Sequence, residues 1–484
     1  MGFWGALLVC ALVVWGLFRY DREKSTRTSK AIWLPVLWLS IIGSRPASAW
    51  LNIWFGINFG SSGAGLDAQL DGSPTDAAVL GVLLAAGMFV LGRRKSRVRC
   101  LLRGNFPVIL YFTYCLASVL WSPFPEVAFK RWLKAIADLT MALIVVTESD
   151  PAASLRRLFS WVGFLLLPAS ILLIRYSALG RGYDPDGHFM NTGVTTNKNS
   201  LGLITFLIAL GALWSFIHAY RSRPRLERTR QLYARGALLA LAVTVLMLAH
   251  SATSGACFIL GGVLIVATHL PYVRQRRGRI HALVLTVLAT GGAAILLGGE
   301  SGVLHALGRD ATLTGRTDIW RAVIPLCPNP LIGAGFESFW NGFGDNVRGL
   351  STFQRGINSA HNGYIDVYLN LGWVGLSLIA FILVGGYRRT VATFRRNPEL
   401  AGLMLAFVAT SAIYSVTEAG FRILTPTWIC LLLAALAPSG GVTGPAIKKV
   451  LAPGRSSLHR GTGAPIGDAL PPPFSDKVSP SFHL

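Results

Sequence analysis

"GINSAHNGYIDVYLNLGWVGL", residues 356–376, opens as a polar loop and closes as an apolar helix. The apolar character runs on to Gly385, as it does where a chain enters lipid. His361 stands at the changeover. Beyond it, Asn362, Asp366 and Asn370 recur every four residues, one polar stripe about 12 Å long at 1.5 Å per residue. Asn370 suits an interhelical hydrogen bond. An imidazole at a polar mouth has another use, because it exchanges protons near neutral pH. LGWVGL supplies small residues for close helix packing.

The same alternation of apolar run and polar break fills the chain. Of its 484 residues 52% are hydrophobic and only 14% are charged, too few to cover a soluble surface. Spans are expected near 3–18, 31–44, 77–92, 105–121, 133–148, 157–174, 200–219, 236–253, 255–270, 281–298, 363–385, 401–416 and 424–437. The fold class is therefore an all-α integral membrane protein with 12–13 transmembrane helices and one large loop between two late helices. The formal charge of +23 comes in bursts between spans, at 93–99, 220–230, 273–279 and 387–396 and at Lys448 and Lys449. That pattern marks a cytoplasmic membrane surface, not a nucleic-acid partner. The six cysteines are scattered and indicate neither a disulfide framework nor a zinc site. The first run, with its basic residues after it, reads as a retained anchor whose N-terminus is outside.

The opposite side receives residues 45–76, 122–132, 175–199 and 299–362. The first is expected to be a flexible loop. The last carries Trp320, Phe336, Phe339, Trp340, Phe343 and Phe353 and is too aromatic to be disordered. Within it, TDIWRAVIPL predicts a short helix in the membrane interface, capped by Thr317 and ended by CPNP. Residues 439–484, rich in Gly, Pro and Ser, read as a disordered tail.

Charge on the outer side exceeds what topology requires. Lys130, Arg131 and Lys134 open one span, Arg175 and Arg181 follow another, and the long loop brings Arg309, Arg316, Arg321, Arg348 and Arg355. Arg348 and Arg355 read as solvated. Arg181 and Arg316, beside glycines, suit an anion, because a guanidinium and free backbone N–H groups together offer several charge-assisted donors. Glu300, Asp310, Glu337 and Asp345 read as solitary loop acids, solvated or capping, and Glu418 either orients Arg422 or a substrate hydroxyl or forms a plain salt bridge. The middles of the spans are almost free of charge, and neither internal repeats nor broken helices are evident, which argues against a coupled transporter. Chemistry belongs at the outer face.

"TLTGRTDIW" (312–320), "PLIGAGFESFW" (330–340) and "HNGYIDVYLNLGWVGL" (361–376), preceded by "ASVLWSPFPEVAFKRWLK" (117–134) and "NTGVTTNKNSLG" (191–202), resemble in order and spacing the O-antigen ligase superfamily. These are bacterial polytopic membrane glycosyltransferases, among them exopolysaccharide repeat-unit polymerases and protein O-oligosaccharide ligases. The resemblance covers most of 100–438, leaving 1–99 and the tail outside it. It divides the chain into 1–99, a membrane core over 100–298, a periplasmic loop over 299–362, C-terminal spans over 363–438 and the tail over 439–484. It implies a type-C-like architecture in the bacterial inner membrane, acting on an undecaprenyl-diphosphate-linked glycan at the periplasmic face without metal or other cofactor. The implied partners are that lipid-linked oligosaccharide donor, a glycan, lipid A core or protein acceptor, and membrane lipid. By position, His361 resembles the residue that activates the acceptor hydroxyl and Arg316 the one that holds the donor diphosphate, with Asn362 and Asp366 as further substrate-binding candidates. Ser254, in "AHSATSGACF" (249–258), stands where ligases carry an arginine. Arg181, Arg131 and Lys198 are the candidates to replace that cation. The departure favours a polymerase over a ligase; a protein O-oligosaccharide ligase and a non-catalytic lipid-linked glycan flippase are the alternatives.

Overall fold

Each expected span lies on a helix in the computed structural model, which describes residues 2–21, 28–56, 73–183, 187–221, 225–298, 314–341, 358–394 and 396–437. The helices are α1 (Phe3–Tyr20), α2 (Trp33–Ile42), α3 (Ala47–Phe55), α4 (Pro74–Gly92), α5 (Lys95–Arg103), α6 (Phe106–Ala117), α7 (Pro125–Val146), α8 (Pro151–Tyr176), α9 (Lys198–Arg221), α10 (Arg225–Ala249), α11 (Ala252–Ala267), α12 (Pro271–Gln275), α13 (Arg277–Gly298), α14 (Thr314–Val323), α15 (Gly363–Thr393), α16 (Pro398–Thr417) and α17 (Pro426–Leu436). Seven are long and apolar enough to cross a bilayer alone, and an eighth span results if α5 and the helix after it, bent 93° apart, count as one. The protein is thus an all-α polytopic membrane protein. Thr443–Leu484 form a separate unit that lies outside the described residues. So do the expectations for the tail, for half of the 45–76 loop, and for Glu300, Arg309, Asp310, Asp345, Arg348 and Arg355.

Local chemistry sets where helices begin. Ser73, Asp150 and Asn397 each turn a side-chain oxygen back to a backbone N–H and are followed by proline at the first helical position, so a donor that no carbonyl can reach is satisfied. Burial sorts the helices radially. α16 is 89% buried over its span window and α1 only 11%, so α16 lies at the centre and α1 at the edge.

The linkers sort into two ends. At one, Arg94 binds Glu148, Arg97 donates to Thr147 O, Trp214 and His218 reach Glu399, and Arg221 reaches His269 O. That end carries the described residues of the basic bursts at 93–99, 220–230, 273–279 and 387–396. At the other end meet the starts of α9, α11 and α15 and the end of α16.

Several expectations need correction. Ala47–Phe55 is helix α3 inside the segment read as a loop. Residues 175–199 contain a hairpin, with β1 (Arg181–Tyr183) antiparallel to β2 (Phe189–Asn191). α14 begins at Thr314, so Thr317 lies within it and is no cap. Its apolar face does not wait for lipid: Val323, with Ile319 and Trp320, packs on a second small core of Phe339, Trp340, Ala360 and Leu369. Asp138 is a fully buried acid inside α7, accepting from Trp38 Nε1 at 2.8 Å and Leu424 N at 2.9 Å.

The largest departure is a broken helix. Gly372 (φ 64°, ψ −163°) interrupts α15, and a Cβ there would stand 2.2 Å from the Leu331 carbonyl. Only glycine meets both demands. Residues 330–335 lie in the gap and satisfy its backbone. Pro330 O and Leu331 O accept from Trp373 N (2.9 Å) and Val374 N (3.1 Å), while Ala334 N (3.0 Å) and Gly335 N (2.8 Å) donate to Leu369 O and Asn370 O. Tyr114 Oη donates to Leu371 O at 3.1 Å. A broken helix is therefore present, against expectation, and five of the backbone groups it frees are bound by residues 330–335 and Tyr114.

Candidate functional site

α16 stops at Thr417, and Glu418 leaves it in extended conformation (φ −147°, ψ 162°). Its N–H still donates to Tyr414 O, while its carbonyl accepts from Gly363 N at 3.0 Å. The end of one helix is thereby stapled to the start of the next. The Glu418 carboxylate is the centre of the site. Oε1 accepts from Arg316 Nη2 at 2.9 Å and from Asn199 Nδ2 at 3.0 Å. Oε2 lies 3.6 Å from His361 Nδ1, an ion-pair contact longer than a hydrogen bond. Arg316 also donates through Nη1 to the Thr417 carbonyl. Three segments far apart in the chain thus meet on one carboxylate.

Burial raises the tendency of Glu418 to hold its proton, but His361 and Arg316 outweigh it and keep the carboxyl below the usual range. Glu418 is therefore ionised at neutral pH. His361 is the open member, its side chain 43% exposed against 13% for Glu418. Its backbone is left-handed (φ 47°), a conformation that persists in non-glycine residues only where the surroundings enforce it. With Nδ1 turned toward a carboxylate, the neutral imidazole carries its proton there and leaves Nε2 as the basic nitrogen. The arrangement can hold an anion at Arg316 and take a proton at His361.

The rest of the polar stripe is turned inward. Asn362 caps α15, its side chain accepting from Tyr364 N and Ile365 N. Asp366 Oδ1 accepts from Ala360 N at 2.9 Å and Trp340 Nε1 at 3.0 Å. Asn370 accepts from Phe339 N and donates to Asp366 O. The stripe moors the loop to the helix.

The sequence-derived cations separate. Arg316 joins His361. Arg131 is buried in α7 and bonds Glu337 O and Asn341 Oδ1 on the loop side. Arg181 is exposed on β1. Lys198 opens α9, next to Asn199, which reaches Glu418. Glu337 is no solvated acid: it is buried, and its Oε2 accepts from Arg422 Nε at 3.1 Å. Glu418 pairs with Arg316 and His361, and Arg422 takes Glu337 instead. Asn199 and Thr417 were missed as site residues; the only signal for Asn199 was its place in NTGVTTNKNSLG at the mouth of a span. Ser254 is fully buried, and its Oγ would stand 2.7 Å from a Cβ on Gly202. α9 and α11 touch too closely there to accommodate an arginine side chain between them.

Residues 237–380 match the family model described as O-antigen ligase. The chain is also 27% identical over 348 residues to the exopolysaccharide production protein ExoQ of Rhizobium meliloti strain 1021, an alignment covering 67% of this chain and 74% of that relative. The matched segment holds His361 and Arg316 but ends before Glu418. Both matches agree with the resemblance read from the motifs. They support an O-antigen ligase- or polymerase-like function in a multi-pass membrane protein.

Proposed function

We propose that this protein, whose residues 237–380 match the O-antigen ligase family model, is a metal-independent glycosyltransferase that extends a polysaccharide from undecaprenyl-diphosphate-linked units at the periplasmic face of the inner membrane. The observation that carries the proposal is the single carboxylate, Glu418, joining Arg316 to His361. The donor sits with its diphosphate on Arg316, whose N–H donors beyond the two given to Thr417 O and Glu418 are left for phosphate oxygens. His361 Nε2 takes the proton of the acceptor hydroxyl as that oxygen bonds to the anomeric carbon. The bond from that carbon to phosphate oxygen breaks, and the lipid diphosphate leaves with the electron pair, needing charge stabilisation more than a proton. Glu418 holds His361 in the useful tautomer and stabilises the imidazolium that forms. The second cation for the diphosphate comes from Lys198 or Arg181, with Lys198 favoured by its place beside Asn199, because Arg131 is buried and bonded to Glu337 O and Asn341 Oδ1.

The gathering of the basic linkers at the opposite end supports a periplasmic site by the positive-inside rule. The likeness to an exopolysaccharide production protein supports a growing glycan as the acceptor. His361→Gln tests the reading: cells carrying it should make no polymer, retain normal protein levels and accumulate lipid-linked repeat units. Normal polymer without donor accumulation would leave His361 as packing only.

A further inference from the structure

Four residues past Glu418, Arg422 makes a second grip on the same short segment. Its Nε donates to Glu337 Oε2 at 3.1 Å and its Nη1 to the Asn358 carbonyl at 3.2 Å. Both side chains are shut from solvent, 4% exposed for Arg422 and 10% for Glu337. Replacing a buried ion pair with apolar side chains is often neutral or stabilising, so stability alone gives little reason for this one. Geometry gives a better reason. Asn358 lies three residues before His361, and Gly363, two residues after it, is held by the Glu418 carbonyl. Between them Ala360 N is bound by Asp366, and Ala360 O by Trp320. The left-handed His361 is clasped from both sides by one turn, 418–422.

We infer that Arg422, backed by Glu337, is a positioning residue: it fixes the 358–361 backbone so that His361 Nδ1 meets Glu418. The inference rests on the reading of His361 as the proton acceptor only for its effect on turnover. Its test is purified full-length protein treated with diethyl pyrocarbonate, with carbethoxylation of His361 followed by peptide mass spectrometry and exposed His188 as the internal reference. Arg422→Lys keeps the charge and loses the fork; Glu337→Asp keeps both charges and shortens the reach by one methylene. Each should raise the His361 rate at least threefold relative to His188, because an imidazole released from Glu418 is more accessible. Each should also lower kcat on a lipid-linked repeat unit at least tenfold with KM within twofold. A monodisperse variant whose His361 reacts at the wild-type rate would overturn the inference. If Arg422→Lys does not fold, Glu337→Asp decides alone. If the wild-type protein transfers no glycan, the proposed function fails, while the modification rates still decide the positioning role.

Discussion

Glu418→Gln is the most informative single substitution, because it alters one oxygen and leaves the shape. The amide oxygen can still accept from Arg316 and Asn199, now at 2.9 and 3.0 Å. The amide nitrogen then takes the place of Oε2, 3.6 Å from His361 Nδ1. Two donors would face each other. The imidazole escapes by moving its proton to Nε2, where it can no longer accept one from a substrate. A general base contributes about 10²–10⁴ in rate, and the same tautomer error in a Ser-His-Asp triad costs about 10⁴. The His361–Glu418 contact is looser than a hydrogen bond, so the expected loss in kcat is about 10²–10³, with KM little changed. Loss of a charge-assisted partner should also cost roughly 1–3 kcal/mol of stability, visible as a Tm lowered by a few degrees in detergent. The assay is turnover of a lipid-linked repeat unit by purified protein. Wild-type turnover by Glu418→Gln would refute the tautomer argument outright. The pH profile offers a second check. A carboxyl held below its usual range keeps its contribution above the unfolded value near 4.3 and loses it only as pH falls through the lowered native value. Between pH 5 and 8 Glu418 does not titrate, so any inflection there in the wild-type rate belongs to another group.

Three further outcomes are expected. Arg316→Lys keeps the charge but cannot span Thr417 O and Glu418 together, so transfer should fall at least tenfold at normal protein level, whereas full transfer by Arg316→Ala would return the residue to the solvated class. Gly372→Ala should destabilise the protein by more than the roughly 1–3 kcal/mol that so sparsely populated a backbone conformation alone costs, because its Cβ would meet Leu331 O at 2.2 Å; an unchanged Tm would contradict the packed break. A cysteine at Arg321, 82% exposed, should react with an impermeant thiol reagent from the periplasmic side of cells and a cysteine at Arg228 should not; Ser338, although in the same loop, is buried and unsuitable.

Much of the architecture was legible because it rests on one term. Burying apolar side chains in lipid or helix interfaces sets the spans, and that term can be summed along the chain without knowing what touches what. His361 and Arg316 could be named in the same local way, each a polar group at a membrane mouth beside flexible glycines. The hub was not legible. Glu418 lies 102 residues from Arg316 and 219 from Asn199 in sequence, and only tertiary packing brings them together. Glu337 reads as a loop acid until Arg422 arrives from 85 residues away. The break at Gly372 was hidden for another reason: LNLGWVGL has the composition of an ordinary glycine-containing span, and what interrupts it is a loop docked from 35–43 residues upstream. Asn362 and Asp366 were legible as a stripe but not as moorings, since periodicity gives a face and not its occupant.

The docked loop also changes how damage to this protein will be seen. In hydrocarbon an unpaired backbone group costs several kcal/mol, and residues 330–335 with Tyr114 supply five bonds to the opened turn of α15. Helix and loop must therefore form together or not at all. A substitution that undocks this loop, such as one at Gly333, where a Cβ would stand 2.3 Å from the Asn370 carbonyl carbon, would leave a span that the membrane cannot accept, so the cell would meet it as a failure of biogenesis, with the chain degraded before any glycan reached it. Loss-of-function alleles mapping to that loop will register first as missing protein.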